Sequence, residues 1–213
     1  MSYTFPHKHI YLPSDDATDK RIMLLFHGTG GNEHDLIPIA RKIAPGAGIF
    51  GVRGNISEQG MPRFFRRLAE GVFDEVDIHN RSAELHQFIK EAAEFYEFQT
   101  ENLISVGYSN GANIATAINF LHPGLLKKNI LLRPMTPLIP EVPPNLTGTS
   151  VFLSFGGIDP LMPKGEPEKL SGLYKQFGAG VKVNIEPTGH QLSHIDLEKA
   201  AIWLQEQVSS ATI

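Results

Sequence analysis

The chain contains no cysteine. That excludes disulfides, thiolate metal sites and cysteine nucleophiles, and it suits a reducing compartment. A secretory leader is not legible either: MSYTFPHKHIYLPSDD has no apolar core behind a basic start. No apolar run approaches the ~20 residues that cross a bilayer. The expected location is therefore cytoplasmic, with no membrane partner. Positive charge is not in excess. Lys and Arg number 19 against 23 Asp and Glu, a net charge of −4, which offers no attraction for nucleic acid. Internal repeats and low-complexity tracts are missing too.

What is present is an ordinary globular composition. The 213 residues are 41% hydrophobic and 20% charged, which fits one domain over 1–213 with a substantial core. Short apolar, β-branched runs predict strands at 8–12, 21–27, 48–53, 102–108, 129–133, 150–155 and 181–186. Several are continuously apolar, as strands covered on both faces are. Helix-period segments at 33–44, 82–98, 110–122 and 197–208 lie between them, the first interrupted by Pro38. This alternation predicts a mainly parallel central sheet with helices on both faces. Residues 54–77, which include Arg63, Phe64, Phe65, Arg66 and Arg67, break the rhythm, as does the proline-rich 134–148. Both read as long loops of the kind that carry function.

The strongest local pattern is Gly107-Tyr108-Ser109-Asn110-Gly111, a G-x-S-x-G between a strand pattern and a helix pattern. A tight turn there exposes the serine at the carboxyl end of the strand. A serine hydroxyl needs a base and an orienting acid to become a nucleophile, and on this template they follow in the order acid, then histidine. Asp159, in FGGIDPLMP just past a candidate strand, is the acid, or else an ordinary Asx turn before proline. His190, in the loop after the last strand, is the base; His194 is its rival, placed on the following helix. Their spacing of four resembles a zinc-binding helix, but Gln191 stands where that motif needs glutamate. No metal or other cofactor is expected. The remaining histidines, His7, His9, His79 and His86 among them, read as surface or loop residues, and His27 as one that shapes the neighbouring loop.

The stretch LLFHGTGGNEHDL poses a separate question, because a glycine-rich loop between strand and helix usually holds an anion. A phosphate loop needs a Gly-Lys pair that is missing. A dinucleotide fingerprint needs a small residue where Glu33 stands, and a glutamate at a helix start would repel a pyrophosphate. An oxyanion loop needs less: one backbone N–H beside the nucleophile. Thr29 and Asn110 are the expected donors.

Together HGTGGNEHDL, EQGMPRFFRRLAEGVFD, VGYSNGAN, GGIDPLMP and GHQLS resemble the carboxylesterase/phospholipase group of α/β-hydrolases, related to dienelactone hydrolases. The resemblance runs from about residue 24 to about 204 and is strongest to small bacterial carboxylesterases with an R-F-F-R-R loop, some of them associated with hydroquinone or quinone stress. It implies an α/β-hydrolase fold without a large cap domain, acting on small carboxylic esters or thioesters, often as a homodimer. By motif it implies Ser109 as nucleophile, Asp159 as acid, His190 as base, and Thr29 and Asn110 as oxyanion donors. The expected reaction is ester hydrolysis through an acyl-enzyme, with acyl thioesterase or lysophospholipase as the alternative. Ser109 in place of cysteine argues against a dienelactone substrate. Arg63, Phe64 and Phe65 are expected to fold over the pocket and touch substrate, or else to form a surface loop with a buried Phe pair. Met162 is expected near the acyl pocket.

Overall fold

The run Ile22–Phe26 is buried at every position, and a strand covered on both faces is the structure that accommodates such a run. In the computed structural model, which describes residues 5–209, this strand, β2, lies inside a seven-stranded sheet. The other members are β1 (His9–Leu12), β3 (Gly48–Val52), β8 (Leu103–Tyr108), β9 (Lys128–Leu132), β10 (Ser150–Gly156) and β11 (Gly180–Glu186). Their order across the sheet is β1-β3-β2-β8-β9-β10-β11. All neighbours are parallel except β1, which runs antiparallel along β3.

Side chains alternate between the two faces with the period of two that a strand imposes. From β2, Ile22, Leu24 and Phe26 join one core, while Met23 and Leu25 join the other. The first core is closed by α2 (Glu75–Phe95), α3 (Asn110–Leu121) and α4 (Glu166–Gln176), the second by α1 (Ile37–Ile43) and α5 (His194–Ser209). All seven expected strands and all four expected helices are present, with helices on both faces.

Three features depart from the expectation. Helix α1 starts at Ile37 rather than 33, because Pro38 sits in its first turn, where a missing N–H costs nothing. Helix α2 starts a full two turns before 82: the Asp74 carboxylate caps it by accepting from Asp77 N–H. Helix α4 was not expected at all, since Pro167 and Gly172 disguise its period.

The segment 54–77 is also more ordered than a loop. It forms two hairpins, β4 (Ile56–Glu58) with β5 (Met61–Arg63), and β6 (Arg67–Ala69) with β7 (Val72–Phe73). The first turns through Gln59 and Gly60, both at positive φ (53° and 83°), which matches the twist of a two-residue hairpin. No large cap domain stands over the sheet among the described residues, and no helix there is long and apolar enough to cross a membrane.

Candidate active site

The side chains singled out in the sequence gather at the carboxyl ends of four parallel strands. Thr29 follows β2, Ser109 follows β8, Asp159 follows β10 and His190 follows β11. This is the edge where open α/β sheets place their ligands.

Ser109 sits between Tyr108, the last residue of β8, and Asn110, the first of α3, at φ 52° and ψ −115°. Left-handed backbone of this kind is costly for a residue with a Cβ and persists only where the surroundings enforce it. The flanking glycines supply that enforcement. A Cβ on Gly107 would come 2.6 Å from Ala112 Cα. One on Gly111 would overlap the Phe26 carbonyl oxygen. Strand and helix therefore approach more closely than any side chain permits, and the serine hydroxyl is pushed out of the turn.

The Ser109 Oγ lies 2.9 Å from His190 Nε2, and His190 Nδ1 lies 2.7 Å from Asp159 Oδ2. Facing a carboxylate, Nδ1 carries the ring proton and leaves Nε2 to accept from the serine. The two readings of Asp159 turn out to be compatible, one per oxygen. Oδ1 accepts from Leu161 N–H at 2.9 Å, an Asx-type turn, while Oδ2 faces the imidazole. His194 is apart from this chain: it opens α5, so it and His190 do not share a helix.

His190 rides on a loop that is held at each backbone carbonyl around it. Tyr108 OH donates to the His190 carbonyl at 3.1 Å. Arg133 donates from Nε to Gly189 O at 3.2 Å and from Nη2 to Gln191 O at 2.9 Å. Arg133 is itself fixed by a bidentate pair with Asp196, at 3.0 and 2.8 Å, both side chains fully buried. Burial alone would raise the Asp196 carboxyl; hydrogen bonds from Arg133, Ser154 and Ser193 hold it below the ordinary value. Arg133, Tyr108 and Asp196 were not singled out in the sequence. One signal was available: Arg133 is a cation ending the apolar run NILLR, a position that demands a buried partner.

The glycine loop is shaped as its sequence suggests. His27 is buried, and burial pushes its imidazole below the usual histidine value. The neutral ring links two segments: Nδ1 meets Gly28 O at 2.6 Å and Nε2 accepts from Gly54 N–H at 3.0 Å. Glu33, however, is not at a helix start. It is buried and paired with Arg53, four residues before α1 begins. Among the described residues Thr29 N–H and Asn110 N–H both lack an acceptor, the latter because it opens α3.

A cavity of about 450 Å³ opens beside Ser109, lined by Thr29, Asn110 and His190 together with Phe73, Met135 and Leu161. Arg63 and Arg67 also reach it. Phe64 and Phe65 do not: both are fully buried in the core against Phe26 and Phe73, because their apolar area outweighs any gain from a wet cleft. Met162 also lies outside the cavity wall. It packs behind Asp159 on the core side, and Leu161 faces the opening instead. His7, expected at the surface, is buried with its Nδ1 on Arg53 O.

The family model described as Phospholipase/Carboxylesterase matches residues 7–208. A Bacillus subtilis (strain 168) protein named "Putative hydrolase MhqD" is 46% identical over 201 residues, 94% of this chain and 99% of that one. The crystal structure of a Bacillus cereus carboxylesterase is 45% identical, covers 94% of both chains and superposes with a TM-score of 0.91. A Mesorhizobium loti carboxylesterase, 30% identical over 94% of this chain and 95% of its own, superposes at 0.88. A serine beside a histidine at the carboxyl edge of this sheet is what an ester-cleaving enzyme of that group requires, and the chain belongs to the phospholipase/carboxylesterase family of α/β-hydrolases as a carboxylic ester hydrolase.

Proposed function

We propose that the chain cleaves small carboxylic esters by a Ser-His-Asp mechanism through an acyl-enzyme. The observation that carries this reading is the unbroken chain from Asp159 through His190 to Ser109, at 2.7 and 2.9 Å, opening on the cavity. Ser109 Oγ attacks the ester carbonyl carbon while its proton passes to His190 Nε2. Asp159 holds the imidazole in the productive tautomer and stabilises its cation. The carbonyl oxygen becomes an oxyanion and accepts from Thr29 N–H and Asn110 N–H. Each such donor is worth about 3–4 kcal/mol of transition-state stabilisation. The imidazolium then returns the proton to the departing alcohol. Water, activated by the freed Nε2, attacks the acyl-enzyme and releases the acid, restoring the Ser109 hydroxyl.

A cavity of about 450 Å³ lies at the lower end of the range for small-molecule sites, which supports a small ester rather than a long lipid. A part in hydroquinone or quinone stress rests on the family resemblance alone; a deletion strain of normal hydroquinone sensitivity would remove it. The mechanism itself is tested with a fluorophosphonate. The native protein should gain one adduct on Ser109 and lose its esterase activity. The Ser109→Ala variant should be folded, unlabelled and inactive, and esterase activity retained by it would refute the assigned nucleophile.

A further inference from the structure

We propose that the hairpin segment 62–64 is a brace for the oxyanion hole, with Arg63 as its positioning residue; the inference rests on the oxyanion donors proposed above. Three contacts carry it. Gly30 N–H donates to the Pro62 carbonyl at 2.9 Å, which pins the glycine loop just past Thr29. Arg63 Nη1 donates to Thr29 Oγ1 at 2.6 Å. Phe64 N–H donates to Asn110 Oδ1 at 2.8 Å. Three consecutive residues therefore hold the two residues whose N–H groups face the oxyanion, although those residues lie 81 positions apart in the chain, 110 less 29.

The brace is stiff. Arg63 is 3% exposed, and burial works against its cationic form. It is secured by the Glu58 carboxylate at 3.3 Å and by donation from Nε to the Phe65 carbonyl at 3.2 Å. Its guanidinium also stands 5.8 Å from the centre of the Phe65 ring. Glu58 in turn holds Arg67 at 2.8 Å, which ties this hairpin to the next. Phe64 and Phe65, fully buried, anchor the segment in the core. On the Asn110 side the side-chain amide has Phe64 N–H as its one fixed partner, since Asn110 Nδ2 is buried without one among the described residues. Glu58 and the Phe65 carbonyl take the Nε side of the buried cation, which leaves Nη1 to reach the Thr29 hydroxyl. Fixing the donors before charge develops is what makes an oxyanion hole effective.

The test uses Arg63→Gln, Thr29→Val and the double variant. Thr29 is exposed, so Thr29→Val removes the hydroxyl while keeping both the fold and the backbone donor. Each single variant should lower kcat about 10- to 100-fold, because displacing a donor by a fraction of an ångström weakens the transition state alone. KM should stay within about threefold. Binding of a trifluoromethyl ketone, which forms a tetrahedral adduct, should weaken in parallel with kcat/KM. The double variant should be no worse than about twofold below the poorer single, since both break one contact. A raised KM with unchanged kcat would make Arg63 a substrate contact and overturn the brace, as would losses that multiply. Wild-type kcat in both singles, with Ser109→Ala inactive, would overturn the brace alone; activity in Ser109→Ala would overturn the mechanism beneath it.

Discussion

Arg133 and Asp196 form a two-pronged ion pair sealed from solvent, and the same guanidinium donates to the carbonyls on either side of His190. One buried charge pair thus serves as the footing of the proposed general base. Removing the cation leaves a buried carboxylate whose remaining donors are Ser154 and Ser193. Arg133→Met is expected to cost about 3–5 kcal/mol, read as a shift in the urea midpoint, with a fall in kcat for the fraction that folds. Arg133→Lys should not rescue it, since an ammonium cannot supply a planar fork. A midpoint within about 1 kcal/mol of wild type would mean that the pair contributes little.

The serine turn depends on the backbone contact at Gly111. A methyl there would drive into the Phe26 and His27 carbonyls, neither of which can move without shifting β2. Gly111→Ala should lose about 3 kcal/mol or more, or fail to fold. Gly172, inside α4 with nothing within 4 Å of an added Cβ, is the control. There the same substitution should stabilise by about 0.5–1 kcal/mol. Equal effects at the two positions, measured by thermal or urea unfolding, would contradict the steric account.

The positive φ of Ser109 implies stored strain. Ser109→Gly and Ser109→Ala should both lack activity, but glycine should be the more stable by about 1–3 kcal/mol, because it alone relaxes that backbone. Matching unfolding midpoints would show that the turn is unstrained.

Acid should act on the glycine loop before it acts on the carboxylates. Burial lowers the imidazoles of His27 and His7 in the folded state. Between those lowered values and about 6.5 the unfolded chain binds more protons than the folded one. The associated stability is complete above about pH 6.5 and is lost as pH falls through that window. His27→Gln should flatten part of this dependence when unfolding is followed at pH 7.5 and pH 5. An unchanged slope would place the effect elsewhere.

Much of this was legible in the sequence, for physical reasons. Runs such as IMLLF and LISVGY announce doubly covered strands, and G-x-S-x-G announces its own turn, because in each case local composition and tertiary role agree. Asp159 and His190 were readable since each follows a strand in the order the template demands. Helix α4 was not, as Pro167 is harmless in a first turn and Gly172 faces open space, yet both look like breakers. The hairpins of 54–77 were hidden because strands of two or three residues have no period to detect. For Phe64 and Phe65 the sequence left two readings open, a cover over the pocket or a buried Phe pair, and packing decides for the buried pair while Arg63 reaches the opening. The Arg133–Asp196 pair spans 63 positions and leaves no local trace beyond a charge at the end of an apolar run.

The strand order has a consequence for how the enzyme comes into being. The sheet divides in chain order between β8 and β9: β1, β3, β2 and β8 on one side, β9, β10 and β11 on the other. The Ser109 hydroxyl and both proposed anion donors belong to the first portion, the proposed base His190 and its proposed acid Asp159 to the second. On the proposed mechanism neither portion turns over substrate alone, and catalysis becomes a property of the seam. Turnover in a refolding chain, or in two fragments cut between Leu121 and Lys128, reports the moment the portions join rather than the folding of either.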